Sequence, residues 1–384
     1  MRSIDILTTL ATATLLHSAH GARPRPSEAN MTAPKVILDN DWGIAQFIPY
    51  LIALDAGWDI LGLVSDTSDS WALQTGLHAL ATLERGGLSD CIPVYRGADY
   101  PLLQTPNRFQ AYEALLGTLP WEGVFKRENI TAEAEGGDPT SGDPGRIVRA
   151  AFEMPYYGYP NATFAEDTPA AMFMVEQVRK YPGEITIYSG GALTNIALAV
   201  RMDPTFAQNT KGLFIMGGYV DRMVQQTTGD VFQASLVSDI NFVVDPEAAK
   251  IALSAAFPKI TLVGNAANLL ISTQEFLDEI YEVKNPYSEL VHAYYGTGLP
   301  FWDETAAAVM VDPSIVTDSV EFYVDIDTAY SSPYYGYIRP YQAALMPPGL
   351  RSVSYVNNLN LTALASRIKH SVQYPKGCAD LASL

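Results

Sequence analysis

The chain has 384 residues, of which 48% are hydrophobic, and it carries a formal net charge of −18 at pH 7. This length and composition are sufficient for a large hydrophobic core. Phosphate backbones and anionic lipid surfaces are bound by clustered lysines and arginines, which this sequence lacks, so nucleic acid and membrane surfaces are excluded as partners. The acidic residues are scattered, and solubility alone would explain most of them.

The N-terminal segment has the three parts of a secretory signal peptide. Arg2 gives a weakly positive start, residues 6–16 are apolar, and Ala19 and Gly21 are small residues that flank a cleavage site. The apolar part is too short to span a bilayer comfortably. We therefore expect residues 1–21 to be a signal peptide and the protein to be secreted to the extracellular space.

The rest of the chain is expected to form one domain behind a short leader. Residues 22–34 are polar and proline-rich and predict a disordered leader, and residues 35–384 predict a single folded domain. Within it, residues 97–168 lose the alternating pattern and predict an irregular insertion, which is either a functional flap or a decoration.

Two further features agree with secretion. Four Asn-X-Ser/Thr sequons in polar surroundings predict N-glycosylation at Asn30, Asn129, Asn161 and Asn360. The chain has two cysteines, Cys91 and Cys378, which can form one disulfide in an oxidising compartment, and two unpaired thiols are the alternative.

Alternating elements predict an α/β fold. The first part of the chain reads as strands at 36–38, 58–64 and 91–95, with helices at 47–54 and 71–83 and a short helix at 109–116. This order predicts a parallel sheet with right-handed crossovers. The fold class is therefore a single α/β domain with a mainly parallel, mixed β-sheet flanked by helices.

The alternation resumes after the irregular insertion. Thr168 is predicted to cap a helix that continues to Tyr181, with Pro169 at its first position, and Asp245 followed by Pro246 predicts another helix start. Further strands are predicted at 184–188, 212–216, 260–263, 320–326 and 353–356, and further helices at 196–200, 273–283, 287–295, from about 302, and at 361–372.

Two carboxylates follow the first strand. Asp39 and Asp41 are one residue apart, so in an extended segment their side chains can point the same way. Two such charges repel unless they are compensated, and a hard divalent cation such as Ca²⁺ is a natural compensator. The alternative is that Asp41 only caps the following helix.

Polar residues also follow the other predicted strands, and parallel strands place their carboxyl ends at one edge of the sheet. The set comprises Asp39, Asp41, Asp66, Thr194, Asn195, Gly217, Gly218, Asp239, Asn241 and Asn265. Such an acidic, amide-rich pocket favours a metal ion and a polyhydroxylated ligand. The sequence contains no Gly-X-Ser-X-Gly elbow, Walker loop, dinucleotide fingerprint or paired zinc-ligand histidines.

Several motifs in a fixed order carry a resemblance to a known family. They are residues 39–43 (DNDWG), 191–199 (GALTNIALA), 215–218 (IMGG), 239–241 (DIN) before 245–248 (DPEA), and 302–304 (WDE) before 311–313 (VDP). Together they resemble the inosine-uridine-preferring nucleoside hydrolases, and the particular residues in these motifs are similar to those of a secreted fungal branch of the family. The resemblance extends over about the whole mature chain.

The resemblance implies a mechanism and a set of site residues. Ca²⁺ would sit at the bottom of the pocket, hold the ribose hydroxyls and a water, and be bound by Asp41, Gln46, the backbone carbonyl of Thr194, and Asp303. Asp41 would also take the proton of the attacking water. The implied substrate-binding residues are Asp66, Asn195, Asp239 and Asn241.

The sequence departs from the family pattern at four positions. Two adjacent aspartates of the family are Ala45 and Gln46 here, so the metal site loses two negative charges and Gln46 offers one neutral oxygen. Trp42 replaces a proline, and Trp302 replaces a histidine that helps some members protonate the leaving base. Both tryptophans either stack on a base or belong to the core. On the leaving-group side, His292 and Tyr295 are the candidate substitutes for that histidine.

The predicted function is therefore a secreted, Ca²⁺-assisted N-ribosyl hydrolase that cleaves a purine or pyrimidine ribonucleoside into base and ribose, in nucleoside catabolism. The alternative is a catalytically decayed protein of the same fold that binds a nucleoside or sugar without cutting it. A third hypothesis is a hydrolase for another N- or O-glycoside. The expected partner is a small-molecule ribonucleoside, and the sequence leaves the oligomeric state open, a homo-oligomer included.

Overall fold

A computed structural model describes residues 33–43, 46–69, 71–116, 160–165, 168–220, 239–330 and 332–381. Several predictions lie outside these residues: the signal peptide, all but two residues of the leader, the sequons at Asn30 and Asn129, Ala45, and much of the irregular insertion. Among the described helices, none is both long and apolar enough to cross a membrane.

Within the described residues, nine strands form one sheet. They are β1 (Lys35–Asn40), β2 (Asp59–Ser65), β3 (Val94–Tyr95), β4 (Ile185–Ser189), β5 (Gly212–Met216), β6 (Ile260–Val263), β7 (Val316–Ile326), β8 (Ile338–Tyr341) and β9 (Arg351–Leu359). Their order is β3-β2-β1-β4-β5-β6-β9-β7-β8. All neighbouring pairs from β3 to β9 are parallel, and β7 pairs antiparallel with both β9 and β8. The predicted single α/β domain with a mainly parallel, mixed sheet is confirmed.

The strand order reverses between β1 and β4. From β1 the chain adds β2 and β3 on one side, and from β4 it adds β5 and β6 on the other. Such a switch point opens a crevice outside the carboxyl ends of the two central strands, and open α/β sheets bind their ligands there. The residues after β1 and β4 are therefore placed to line a binding site.

Helices cover both faces of the sheet. They are α1 (Ile48–Asp55), α2 (Ala72–Arg85), α3 (Pro106–Leu116), α4 (Ala170–Lys180), α5 (Thr194–Met202), α6 (Ile240–Val244), α7 (Pro246–Ser254), α8 (Gln274–Tyr281), α9 (Pro286–Tyr294), α10 (Trp302–Val311), α11 (Leu361–Gln373) and α12 (Cys378–Leu381). Strand β1 shows how the core divides. Val36 and Leu38 pack with α1 and α10, whereas Ile37 packs with α4 and α5 on the other face. Alternating side chains on a strand with two covered faces explain its uninterrupted apolar run.

Two capping predictions differ from the structure. Helix α1 begins after Phe47 with no side-chain cap, so Asp41 does not cap it. Helix α4 begins at Ala170 with Pro169, not Thr168, at the N-cap position and without a side-chain hydrogen bond. Pro169 itself has extended backbone, with φ −57° and ψ 143°, so the helix starts one residue later than predicted.

Three short elements were not predicted. Strand β8 lies between the strands predicted at 320–326 and 353–356, and it contains Pro340. It is an edge strand with β7 as its neighbour, the position where a sheet tolerates proline. Helices α6 and α12 have five and four residues, too few to show a helical period.

Candidate active site

Asp39, Asn40 and Asp41 lie at the carboxyl end of β1, and all three side chains are buried. Asp39 Oδ1 accepts a hydrogen bond from Asn195 Nδ2 at 3.0 Å. Asn40 Nδ2 donates to Asp303 Oδ2 at 3.4 Å, across 263 residues of sequence. The tip of β1 is thus bonded to both α5 and α10.

The turn between β2 and α2 faces the tip of β1. Asp41 Oδ2 accepts from the backbone N–H of Asp69 at 3.2 Å. Asp66 is fully buried in the same turn, and both its carboxylate oxygens lack a hydrogen-bond partner among the described residues. Gly191 makes room for them, because a Cβ there would lie 2.4 Å from Asp66 Oδ2.

Gln46 bridges two of these carboxylates. Its Nε2 donates to Asp41 Oδ1 and to Asp69 Oδ2, both at 3.2 Å. Its Oε1 lies against Gly43, where a Cβ would come within 2.0 Å of it. In this orientation the nitrogen of Gln46, not the oxygen expected to ligate a cation, faces Asp41.

Asp303 enters the site from the first turn of α10. Its side chain is buried, and its backbone carbonyl accepts from the hydroxyl of Tyr188 on β4 at 2.9 Å. This bond fixes the start of α10 against the centre of the sheet. Asp303, the predicted metal ligand nearest the C-terminus, thereby lies next to the tip of β1.

Thr194 and Asn195 begin α5 beyond the end of β4. Thr194 Oγ1 donates to Asp245 Oδ2 at 2.7 Å, and Asp245 also caps α7 by accepting from the N–H of Ala248. Asn195 Nδ2 donates to the carbonyl of Ser65 as well as to Asp39. The pair therefore joins β4 to β1, β2 and α7 at the switch point.

Asp239 and Asn241 enter the site at the start of α6. Asp239 Oδ1 accepts from the N–H of Asn241 at 3.1 Å, and its Oδ2 accepts from the N–H of Gly218. Asn241 Nδ2 donates to the carbonyls of Gly190 and Met216 at 2.9 and 3.1 Å. Both side chains are buried and held rigidly beside the ends of β4 and β5.

Burial dominates the electrostatics of the site. It raises the pKa of Asp41 to about 6 and that of Asp239 to about 7. Burial, followed by the charges of neighbouring carboxylates, raises the pKa of Asp66 and Asp303 well above the usual range. Burial also raises the pKa of Asp39 against the opposing hydrogen bond from Asn195. These groups lack a nearby compensating positive charge among the described residues.

The donor chemistry of this cluster fits a hard divalent cation. Carboxylate and amide oxygens are what Ca²⁺ prefers, and four buried oxygens here have no hydrogen-bond partner within the described residues. They are Asp39 Oδ2, Asn40 Oδ1, and both carboxylate oxygens of Asp66. No group of three or more His, Cys, Asp or Glu side chains among the described residues forms a ready-made metal-ligand set.

The predicted leaving-group residues lie in different surroundings. Trp302 is half-buried, packs against the core, and donates its Nε1–H to Asn268 Oδ1 at 2.9 Å. Tyr295 is buried, and its hydroxyl donates to the carbonyl of Pro300 at 3.3 Å. Of the three, Trp302 is adjacent in sequence to Asp303.

His292 lies on a different part of the molecule. Its Nε2 is 2.9 Å from Asp278 Oδ1, and its ring stacks on Tyr281 at 4.4 Å between centroids. It lines a surface groove together with Arg85 and Glu289. The structure therefore brings His292 together with surface residues of α2, α8 and α9, not with Asp39, Asp41 and the other carboxylates of the candidate site.

Trp42 belongs to the core. It is fully buried, its Nε1 donates to the carbonyl of Val64 at 2.7 Å, and its ring packs near Tyr50. Of the two roles considered for this tryptophan, the structure gives it the core role.

The modification sites within the described residues also have defined places. Asn161 Nδ2 donates to Glu84 Oε1 at 2.7 Å, and Asn360 caps α11 by accepting from the N–H of Ala363. Cys91 and Cys378 form a disulfide in the structure.

Three contributors were not assigned to the site from the sequence. Asn40 belongs to the 39–43 motif but has no predicted role, Asp69 is absent from the residues predicted to line the pocket, and Asp245 is predicted only as a helix cap. The signal for Asp69 was present, since residues 65–69 form an acidic cluster directly after a strand. Its contact with Asp41 depends on the pairing of β1 with β2, which the local sequence does not specify.

The fold and this crevice define an α/β protein with a carboxylate-rich binding site at the switch point of a parallel sheet. The chain matches the model of the family described as inosine-uridine preferring nucleoside hydrolase over residues 36–351. It belongs to the inosine-uridine preferring nucleoside hydrolase family, whose members are nucleosidases.

Individual relatives agree with this assignment. The chain is 33% identical over 373 residues to the uncharacterized protein C800.11 of Schizosaccharomyces pombe, covering 92% of this chain and 89% of that one. It is 24% identical over 319 residues to the pyrimidine-specific ribonucleoside hydrolase RihB of Escherichia coli, covering 80% and 87%. A solved plant nucleoside hydrolase, PpNRh1, shares the fold, with a TM-score of 0.66 and 23% identity over 89% of this chain and 99% of that one.

Proposed function

We propose that this protein is an N-ribosyl hydrolase that cleaves purine or pyrimidine ribonucleosides into base and ribose with a water molecule, assisted by Ca²⁺. The observation that carries the proposal is the convergence of Asp41, Asp66 and Asp303 with Asp239 and Asn241 at the switch point. A crevice so rich in acceptors suits the hydroxyls of ribose and the positive charge that develops on a sugar as its glycosidic bond breaks.

Asp41 is the proposed general base. With a pKa of about 6 it is largely ionised at neutral pH, yet basic enough to take a proton from water. The N–H of Asp69 and the amide of Gln46 hold its two oxygens in place. As the water oxygen bonds to the anomeric carbon, one water proton passes to Asp41, the carbon–nitrogen bond breaks and its electron pair leaves with the base. The departing base takes a proton from solvent, and Asp41 returns its proton to solvent, so that ribose and the neutral base are the products.

The remaining residues bind and orient the sugar. Asp239 and Asn241 are fixed by backbone hydrogen bonds, so they present a preformed surface to the ribose hydroxyls. Asp66 and Asn195 flank that surface. Asp41, the carbonyl of Thr194, and Asp303 would hold Ca²⁺, with Gln46 contributing only if its amide turned over. When bound, Ca²⁺ makes a water easier to deprotonate.

The direct test is to incubate the purified full chain with inosine and with uridine, with and without a chelator, and to assay the released reducing sugar. We expect ribose from at least one nucleoside, and less of it with chelator. Asp41→Asn should abolish most of the activity, whereas Asp90→Asn, on an exposed loop, should not. Absence of ribose from every nucleoside would refute the hydrolase proposal.

A second candidate function is a nucleoside- or sugar-binding protein of the same fold. The neutral amide of Gln46 beside Asp41 favours it, because a site with fewer anionic ligands binds Ca²⁺ more weakly. Calorimetry separates the two candidates. Nucleoside binding without Ca²⁺ binding and without turnover would identify the binder.

We propose further that the protein is secreted, as a member of a secreted fungal branch of the family. The signal-peptide pattern in residues 1–21 and the sequons support this. Expression with the native N-terminus in a eukaryotic host should give a glycosylated protein in the medium that lacks this segment. Retention inside the cell with an intact N-terminus would contradict the proposal.

A further inference from the structure

Asp69 is held in the same space as the proposed catalytic base. Its backbone N–H donates to Asp41 Oδ2 at 3.2 Å, and its own Oδ2 accepts from Gln46 Nε2 at 3.2 Å. The same nitrogen of Gln46 donates to Asp41 Oδ1. The carboxylates of Asp41 and Asp69 are therefore both within hydrogen-bond distance of one amide group.

The charge of Asp69 also reaches the rest of the cluster. It acts on the buried carboxyls of Asp66 and Asp303, which come from different elements. Asp66 carries the independent sign of a ligand site, since its side chain is fully buried and neither oxygen has a hydrogen-bond partner among the described residues. Buried charges are normally paired or bound to a metal.

Gln46 is neutral, so it supplies no anionic oxygen to a cation next to Asp41. Its nitrogen faces Asp41, and its oxygen lies against Gly43. Calcium is held by hard oxygen ligands, and its affinity depends on how many of them are charged. Besides Asp41, Asp69 is the carboxylate that accepts a hydrogen bond from Gln46.

We propose that Asp69 is a further Ca²⁺-binding carboxylate, so that the turn between β2 and α2 supplies the acidic oxygen that Gln46 does not provide. The inference rests on the proposed function, because it concerns the same site. In this proposal, part of the negative charge that balances Ca²⁺ comes from the turn between β2 and α2, and not only from the loop that follows β1.

Asp69→Asn is a discriminating variant. An asparagine keeps the backbone N–H that bonds Asp41 and keeps an oxygen that can accept from Gln46, while the negative charge is removed. A purely structural role for Asp69 would therefore survive the substitution. Asp90→Asn removes one charge from an exposed loop and serves as the matched control.

The experiment measures Ca²⁺ binding to the metal-free full chain by calorimetry. We expect Asp69→Asn to weaken Ca²⁺ binding at least about tenfold, with Asp90→Asn unchanged. Without Ca²⁺, the thermal midpoint of Asp69→Asn should equal or exceed that of the wild type, because a like charge has left the cluster. If Asp69→Asn does not fold, Asp69→Ser is tested in the same way.

Calcium affinity within twofold of the wild type in a folded Asp69 variant would overturn this proposal. So would a wild-type protein that binds no Ca²⁺ at millimolar concentration. Neither result decides the hydrolase activity, which is measured separately as ribose release. Conversely, a wild type that binds Ca²⁺ through Asp69 but releases no ribose would support this inference while refuting the proposed hydrolase.

Discussion

The side-chain amide of Gln46 donates to the carboxylate of Asp41 at 3.2 Å. A neutral hydrogen-bond donor thus stands beside the proposed catalytic base, where it can stabilise the ionised form without a cation. The local electrostatics of the site therefore depend on a side chain that can be changed to an anion of nearly the same shape.

Replacing Gln46 with glutamate should make the metal-free protein less stable and its response to Ca²⁺ larger. The new carboxylate would face Asp41 and Asp69 without a donor, and like charges at this distance repel. We expect the metal-free thermal midpoint to fall and the upward shift on adding Ca²⁺ to exceed that of the wild type. Differential scanning calorimetry at neutral pH measures both.

Gln274→Glu is the control for this change. Gln274 also donates its amide to a carboxylate, Asp278 Oδ1 at 2.8 Å, but on an exposed helix. Addition of Ca²⁺ should shift the thermal midpoint of the Gln274→Glu variant by the same amount as that of the wild type. Equal calcium responses in Gln46→Glu and the wild type would show that position 46 does not face the cation.

Gly191→Ala should damage the site by steric contact alone. An added Cβ would lie 2.4 Å from Asp66 Oδ2, so either the carboxylate or the turn after β4 must shift. We expect a loss of about 1–3 kcal/mol in the free energy of unfolding, together with a lower rate of ribose release. Urea unfolding and the nucleoside assay measure the two effects.

The matched glycine variant is Gly377→Ala, where the nearest atom to the new Cβ would be Asp380 Oδ2 at 3.7 Å. That substitution should leave both quantities close to those of the wild type. If Gly191→Ala also left both quantities unchanged, this would contradict the close packing of Asp66 against the turn between β4 and α5.

His78 should give the protein a distinct loss of stability in acid. It is buried within α2, and burial lowers its pKa from 6.5 to about 3. The folded state keeps the ring neutral, whereas the unfolded chain protonates it near pH 6.5. Its contribution is therefore complete above that pH and is lost as the pH falls towards 3, by about 1.4 kcal/mol per pH unit.

A His78→Gln variant isolates this contribution, since the other titrating groups are common to both proteins. The difference in free energy of unfolding between wild type and variant, measured in urea, should change in favour of the variant from pH 7 to pH 5. Parallel pH profiles would mean that the folded state also protonates this ring.

Reduction of the Cys91–Cys378 disulfide should lower stability substantially. The bond joins the loop after α2 to the C-terminal helix across 287 residues of sequence. Removing such a link typically costs about 2–5 kcal/mol. We expect a reducing agent to lower the thermal midpoint of the wild type, while the Cys91→Ala, Cys378→Ala double variant starts lower and does not respond.

The sequence alone determined the class of fold and most of its elements. Strands β5 and β6 were predicted with the bounds that they have, and Asp245 caps α7 as its position before Pro246 indicated. These predictions succeeded because they depend on local properties, namely apolar periodicity and the hydrogen bonds of a helix start. The Thr168 cap failed because Pro169 itself has extended backbone, so the helix starts one residue later than predicted.

Only the tertiary structure decided how the acidic residues meet. Asn40 and Asp303 are 263 residues apart, and their hydrogen bond exists because α10 packs in the same core as α1 and β1 and is bonded to Tyr188 of β4. The orientation of Gln46 towards Asp69 and the burial of Trp42 were likewise set by packing between elements. A local pattern specifies which side chains follow each strand. The distances between these side chains depend on how strands and helices far apart in sequence pack together, and that packing is determined by the sum of many contacts over the whole domain.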